Sequence, residues 1–283
     1  LGAVFYQIFP DRFRQGRPEL APKEGAWLYG GRPIRKKAWH EPPGEDGARE
    51  FYGGDLFGVL EALPYLEALG VEALYLTPIF QSPSSHRYDT EDYHRVDPHL
   101  GGEEALRALY EALEARGMKL ILDGVFNHVG ATHPWFQKAL KDPSSPERGM
   151  FTFYPDGSYA SFWGVKHMPK LDYASALTQE RFVFGKEAPV RYWMRLAHGW
   201  RLDVAHSIGE GGTNRKNARW LRALARAAKE EREDALVFGG YAALALLVGT
   251  TPDCAGLERH QAKYRGQRSS TDYYLLAYTE FCR

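Results

Sequence analysis

The 283-residue chain carries 36 Lys and Arg against 36 Asp and Glu, a formal net charge of zero with His neutral, and a pI near 7.3. That balance leaves no electrostatic footprint for a nucleic-acid or membrane partner, and no apolar run reaches membrane-spanning length. Hydrophobic residues at 44% and charged residues at 25% describe an ordinary globular composition, long enough for one large α/β domain or two small ones.

In chain order, Ala3 to Phe9 reads as a strand stopped by Pro10. Residues 14–52 are rich in Gly, Pro and charge. After Gly53-Gly54 a helix is expected over 55–69, with Leu56, Val59, Leu60, Leu63, Leu66 and Leu69 at helical spacing and Gly70 as its stop. Ala73 to Thr77 is a second apolar strand, closed by Pro78. An amphipathic helix over 103–116 leads through Gly117 to a third strand, Met118 to Asp123. Residues 129–185 form a long irregular stretch carrying Trp135, Phe136, Phe151, Phe153, Tyr154, Tyr159, Phe162 and Trp163. That aromatic content predicts a cleft wall more than a disordered loop. A helix over 188–198, a strand over 200–204, a helix over 214–231 and a fifth strand, Ala235 to Phe238, follow.

Repeated strand–helix alternation predicts a parallel sheet with helices outside, either an open doubly wound sheet or a closed barrel. Two polar clusters favour the barrel. Asp123-Gly-Val-Phe-Asn-His128 ends the third strand, and Gly199-Trp-Arg-Leu-Asp-Val-Ala205 ends the fourth. Barrel enzymes collect their chemistry at the C-terminal ends of several strands, and no Gly-rich phosphate loop follows the first strand here. Arg201 and Asp203, two residues apart, share one face of their strand, so the guanidinium is expected to hold the carboxylate ionised and aimed. A structural ion pair is the bland alternative.

These motifs resemble the α-amylase family, glycoside hydrolase family thirteen. The likeness runs from Val4 to about Phe238. It includes Tyr6 to Phe13, Phe51 to Leu56, Gly70 to Pro78, His86 to Tyr93, Asp123 to His128 and Gly199 to Ala205. Met168-Pro-Lys-Leu-Asp172 is similar to a motif of the neopullulanase, cyclomaltodextrinase and maltogenic amylase branch. The resemblance implies a (β/α)8 barrel with a small inserted domain after the third strand. It also implies a retaining mechanism on α-1,4, and secondarily α-1,6, glucosidic bonds of starch-type glucans or maltooligosaccharides. By matched position Asp203 is the nucleophile and Arg201 orients it. His128 binds the sugar being cleaved, Tyr88 stacks on it with His86 nearby, Asp123 supports the hydrogen-bond network and Asn127 the loop. In isolation His128 would more often be a satisfied loop histidine and Tyr88 a packing residue. His206 either touches the leaving-group sugar or starts a helix in solvent.

The resemblance breaks at one place. The family's acid/base Glu follows the fifth strand, where this chain has Gly239-Gly240-Tyr241, so Gly240 stands in its place and has no proton to give. Glu230, Glu231 and Glu233 precede the strand and are expected at the opposite end of the barrel, which leaves Glu210 as the candidate stand-in. Residues 241–283 do not read as further barrel units, and both cysteines, Cys254 and Cys282, lie there. A reading-frame change near residue 239, a truncation and a diverged tail all fit, and an impaired α-glucan-binding protein is the alternative function. The expected division is 1–128 and 186–240 as barrel, 129–185 as inserted domain and 241–283 as an atypical tail. No cofactor is expected. Arg14 to Glu19 supplies no calcium-ligand cluster, and Asp55 alone does not make a site. The visible start carries no charged-then-apolar leader and cysteines are few, so a cytoplasmic protein is expected.

Overall fold

Five short apolar segments pair side by side in a computed structural model that describes residues 3–240. They are β1 (Phe5–Ile8), β2 (Ala73–Leu76), β3 (Lys119–Gly124), β4 (Gly199–Leu202) and β5 (Leu236–Gly239), all parallel and ordered 1-2-3-4-5. A doubly wound sheet reverses its strand order at a switch point, and this sheet does not. It also curls. Flat, its outer strands would lie about 19 Å apart at the usual inter-strand spacing. Instead the rings of Phe5 on β1 and Phe238 on β5 meet edge to face, with centroids 6.1 Å apart. Gly199 lets β4 approach β5 closely, since a Cβ there would fall 1.9 Å from the Leu236 carbonyl oxygen.

Helices cover the outer face. α1 (Leu56–Glu61) and α2 (Leu63–Ala68) stand where one helix over 55–69 was expected. Pro64 has no N–H to offer the carbonyl one turn back, so the helix breaks at Ala62. α3 (Gly102–Glu114) buries Ala105, Leu106, Leu109 and Leu113 on a single stripe. α4 (Pro134–Lys141) and α5 (Ala176–Gln179) belong to the long irregular stretch. α6 (Pro189–Tyr192) passes into a 3-10 turn at Trp193–Arg195 and stops short of the expected residue 198. There the sheet wins, because the His198 amide already pairs with the Leu120 carbonyl at 2.7 Å. α7 (Asn217–Glu231) packs beside α6 and buries Trp220, Leu224, Ala227 and Ala228.

Residues 129–185 are ordered around an aromatic cluster, in which Phe136 packs on Phe151 at 5.0 Å and on Tyr159 at 4.7 Å between centroids. One bridge, His128 with Lys170, ties this stretch back to the end of β3, and another, Phe151 with Leu171, closes the stretch on itself. The atypical tail 241–283, with Cys254 and Cys282, lies outside the described residues. Among the described residues no helix is long and apolar enough to cross a membrane.

Leu109 is fully buried between α3 and the sheet. Leu109→Ala is expected to cost about 2–5 kcal/mol, against within about 0.5 kcal/mol for exposed Tyr65→Ala. Urea unfolding that shows equal midpoints for the two variants would contradict this packing.

Candidate active site

The polar groups that point into the curled sheet gather at the C-terminal ends of β2, β3 and β4. Arg201 on β4 and Asp123 on β3 are register partners, which sets their side chains next to each other. Arg201 Nη1 donates to both Asp123 oxygens at 3.1 Å and to Asp203 Oδ1 at 2.5 Å. One guanidinium therefore serves two buried carboxylates. Tyr75 on β2 donates its hydroxyl to Asp123 Oδ2, and Tyr88 donates to the same oxygen at 3.1 Å.

Sharing changes the electrostatics. Burial and the Asp123 charge, only partly offset by Arg201, raise the Asp203 pKa from 3.8 to about 7. Burial also raises that of Asp123, against the pull of Arg201 and the two tyrosine hydroxyls. Arg201 contacts Asp203 as the spacing predicts, but it does not by itself hold the carboxyl ionised, because burial and the Asp123 charge that shares the guanidinium oppose it. The arginine itself stays protonated, since the two carboxylates outweigh its burial.

Two strained residues fix the geometry. Val204, directly after Asp203, is a β-branched residue in the left-handed region at φ 45°. Arg87, directly before Tyr88, sits at φ 61° and is buried, held by an ion pair to Asp97 at 2.7 Å and a bond to the Ser85 carbonyl at 2.8 Å. Such conformations cost about 1–3 kcal/mol each and persist where surrounding contacts enforce them.

The remaining candidates fall around this centre. His86 packs on Tyr88 with ring centroids 5.8 Å apart, and its Nδ1 accepts from the Tyr88 amide at 3.1 Å. His128 is buried beside the Tyr88 backbone, with Nε2 3.1 Å from that carbonyl. Burial holds its pKa down at about 3, so the ring is neutral. Phe162 of the irregular stretch stacks on it at 5.1 Å. His206 lies in a half-buried 3-10 turn, Ala205–Ser207, and not at an exposed helix start. Lys170, unremarked for chemistry in the sequence, reaches Asn127 Oδ1 at 2.8 Å and the Ser207 carbonyl.

Gly240 follows β5, and its amide donates to the Leu202 carbonyl at 2.9 Å. A Cβ at Gly240 would fall 2.3 Å from Arg201 Nη2 and 2.6 Å from Cζ, so the guanidinium lies against the glycine. Glu210 cannot stand in as the acid. Its Oε2 pairs with Lys216 at 2.9 Å, its Oε1 accepts from the Trp220 indole at 3.2 Å, and these partners hold its carboxyl below the usual range. Glu230 and Glu231 pair with Arg191 on α6, on the outer helices away from the Asp203 end. Asp55 caps α1 through Gly58 at 2.8 Å, and its other oxygen accepts from the Gly16 and Arg17 amides at 2.9 and 2.8 Å. Those N–H groups point hydrogens where a calcium ion would need lone pairs, so the residues there do not fit the metal.

Folding lifts the Asp203 pKa, so between about 4 and about 7 the native chain binds more protons than the unfolded one. This group's contribution to stability therefore falls as pH rises through that window. Asp203→Asn is expected to unfold at higher temperature than the wild type at pH 8, with the gain shrinking toward pH 4. A constant difference across that range would show that Asp203 is not held in this state.

Comparison with known proteins matches residues 7–239 to the α-amylase catalytic domain. The chain is 40% identical over 212 residues to an intracellular maltogenic amylase of Bacillus subtilis, covering 72% of this chain and 33% of that protein. It is 38% identical over 248 residues to neopullulanase 2 of Thermoactinomyces vulgaris, covering 84% of this chain and 38% of the relative. Among solved structures, cyclic α-maltosyl-(1→6)-maltose hydrolase of Arthrobacter globiformis superposes with a TM-score of 0.71 at 32% identity, over 84% of this chain and 50% of that one. The type III pullulan hydrolase of Thermococcus kodakarensis gives 0.73 at 31% identity, over 84% and 42%. The chain thus spans about a third of the length of these curated relatives. The catalytic domain of this family is a (β/α)8 barrel, and the described residues supply five strands in its order. The chain belongs to the α-amylase family, in its neopullulanase, cyclomaltodextrinase and maltogenic amylase branch.

Proposed function

We propose that the chain carries the nucleophile half of a retaining glycosidase site for α-1,4, and secondarily α-1,6, glucosidic bonds of starch-type glucans or maltooligosaccharides. The observation that carries this reading is the Arg201–Asp203 contact of 2.5 Å at the end of β4, with Tyr88 joined to the same network through Asp123. Asp203 attacks the anomeric carbon and the glycosidic C–O bond breaks, leaving a glycosyl ester on Asp203 that water then cleaves. Asp203 attacks in its ionised form, which the positive charge developing on the sugar ring favours, and its charge is spent in forming the ester. Tyr88, with His86 behind it, is the platform for that sugar. His128 hydrogen-bonds it, and His206 reaches toward the leaving-group side.

In this reading Gly240 occupies the position of the proton donor. An alkoxide leaving group then departs unprotonated, at a cost of roughly 10²–10⁴-fold in rate. Gly240 beside Arg201 also favours a second reading, a protein that binds α-glucans and turns them over poorly. The proposed division is barrel at 1–128 and 186–240, inserted domain at 129–185 and an atypical tail at 241–283. The maltogenic amylase relative is described as intracellular, which supports a cytoplasmic location.

Purified chain given α-maltosyl fluoride separates the readings, because fluoride leaves without a proton. Fluoride release that is accelerated by azide and abolished in Asp203→Asn is expected. No release at any azide concentration, with maltotriose still binding by calorimetry, would leave only the binding protein. Calcium titrated into the chain is expected to give no micromolar site at Asp55, and heat of binding that disappears in Asp55→Asn would overturn that expectation.

A further inference from the structure

Lys170 is a buried lysine in the Met168–Asp172 motif, and among the described residues its hydrogen bonds go to two neutral oxygens. The strand-like pairing of Leu171 N with Asn127 O at 3.0 Å and of Val129 N with Pro169 O at 3.1 Å sets it opposite His128.

An ammonium has three donors and no acceptor. The Asn127 atom at 2.8 Å from Lys170 Nζ must therefore be the amide oxygen. The NH2 of the same amide then faces His128 Nδ1 at 3.1 Å, and an NH2 only donates. Nδ1 must offer its lone pair, which leaves the ring proton on Nε2. Nε2 in turn lies 3.1 Å from the Tyr88 carbonyl, an acceptor that requires a donor. The opposite tautomer would set two donors against each other at Asn127 and two acceptors against each other at Tyr88. We infer that Lys170 sets the tautomer of His128 through the side-chain amide of Asn127.

Lys170 is thus a positioning residue. It fixes His128 as a donor at Nε2, tied to the backbone of the residue that carries the platform ring. Through the Ser207 carbonyl it pins the loop that follows Asp203 as well. Toward a sugar, His128 cannot then accept a hydrogen bond at Nε2, and any it gives there is shared with the Tyr88 carbonyl. This last consequence rests on the proposed function, whereas the tautomer assignment needs no substrate. The charged and titratable groups facing His128 are Asp89, His86 and Lys170. Lys170 is itself faced by Asp172, and His206 feels its charge. Burial lowers the lysine's pKa to about 8, so the ammonium form prevails at neutral pH.

Two-bond 1H–15N correlation spectra of the full chain, labelled with 15N-histidine, read the tautomer directly. The His128 resonances are identified by their loss in His128→Gln. The wild type is expected to show a single Nε2–H pattern from pH 5 to pH 7.5. In Lys170→Met the amide is free to turn, and an Nδ1–H population is expected to appear, while Lys170→Arg, which also only donates, restores the wild-type pattern. Asn127→Asp keeps the lysine contact but presents an acceptor to Nδ1, so His128 is expected to be doubly protonated at pH 7. A wild-type pattern in folded Lys170→Met would overturn the inference. If Lys170→Met does not fold, a neutral Nε2–H ring in Asn127→Asp overturns it instead. Maltosyl fluoride left untouched alongside the expected spectra would refute the glycosidase reading and leave the tautomer assignment standing.

Discussion

The site is organised by one guanidinium shared between two buried carboxylates. Arg201 stands between Asp123 on β3 and Asp203 just past β4, and a single positive charge cannot neutralise both. The tyrosine hydroxyls of Tyr75 and Tyr88 divide the load unequally, since both donate to Asp123. Burial nevertheless raises the proton affinity of both carboxyls, and at Asp203 the Asp123 charge adds to it. A carboxylate poised in this way is costly in the resting protein and gains most when positive charge develops in front of it. That is the exchange of stability for reactivity expected at a catalytic position.

Around this triad the backbone is bent into conformations that only a rigid frame sustains. Arg87 and Val204 adopt left-handed geometry immediately beside Tyr88 and Asp203. The frame has two parts. The buried Arg87–Asp97 pair anchors the loop carrying Tyr88. Lys170 bridges the irregular stretch, the end of β3 and the turn after Asp203, by bonding Asn127 and Ser207. The irregular stretch therefore does more than wall the cleft with aromatics. It supplies a cation that joins the loop after β3 to the turn after Asp203.

Gly240 is the position at which we propose that the chain departs from its family. The end of β5 is in place there, with the Gly240 amide bonded to the Leu202 carbonyl. The guanidinium of Arg201 rests against the bare glycine. On the proposed reading, a carboxyl absent at this point removes a proton donor without dismantling the neighbouring network, because among the described residues the side chains of Asp123, Arg201 and Asp203 bond to one another.

The sequence by itself determined the parallel strand–helix alternation, the five strand positions to within about two residues, and the gathering of Asp123, Arg201 and Asp203 at strand ends. Each of these follows from local periodicity or from a short motif, and neither kind of signal needs a distant partner. Helix ends were less legible. The break at Ala62 was written in Pro64, but the early end of α6 was decided by His198 joining the sheet. Only the tertiary structure decided the rest: that Arg201 is shared, that Tyr75 completes the Asp123 site, that Glu210 is consumed by Lys216 and Trp220, and that Lys170 reaches Asn127. Those of Asp123 with Arg201 and Tyr75, and of Lys170 with Asn127, join residues tens of positions apart. Their effects on charge depend on burial and on partners that no stretch of sequence contains.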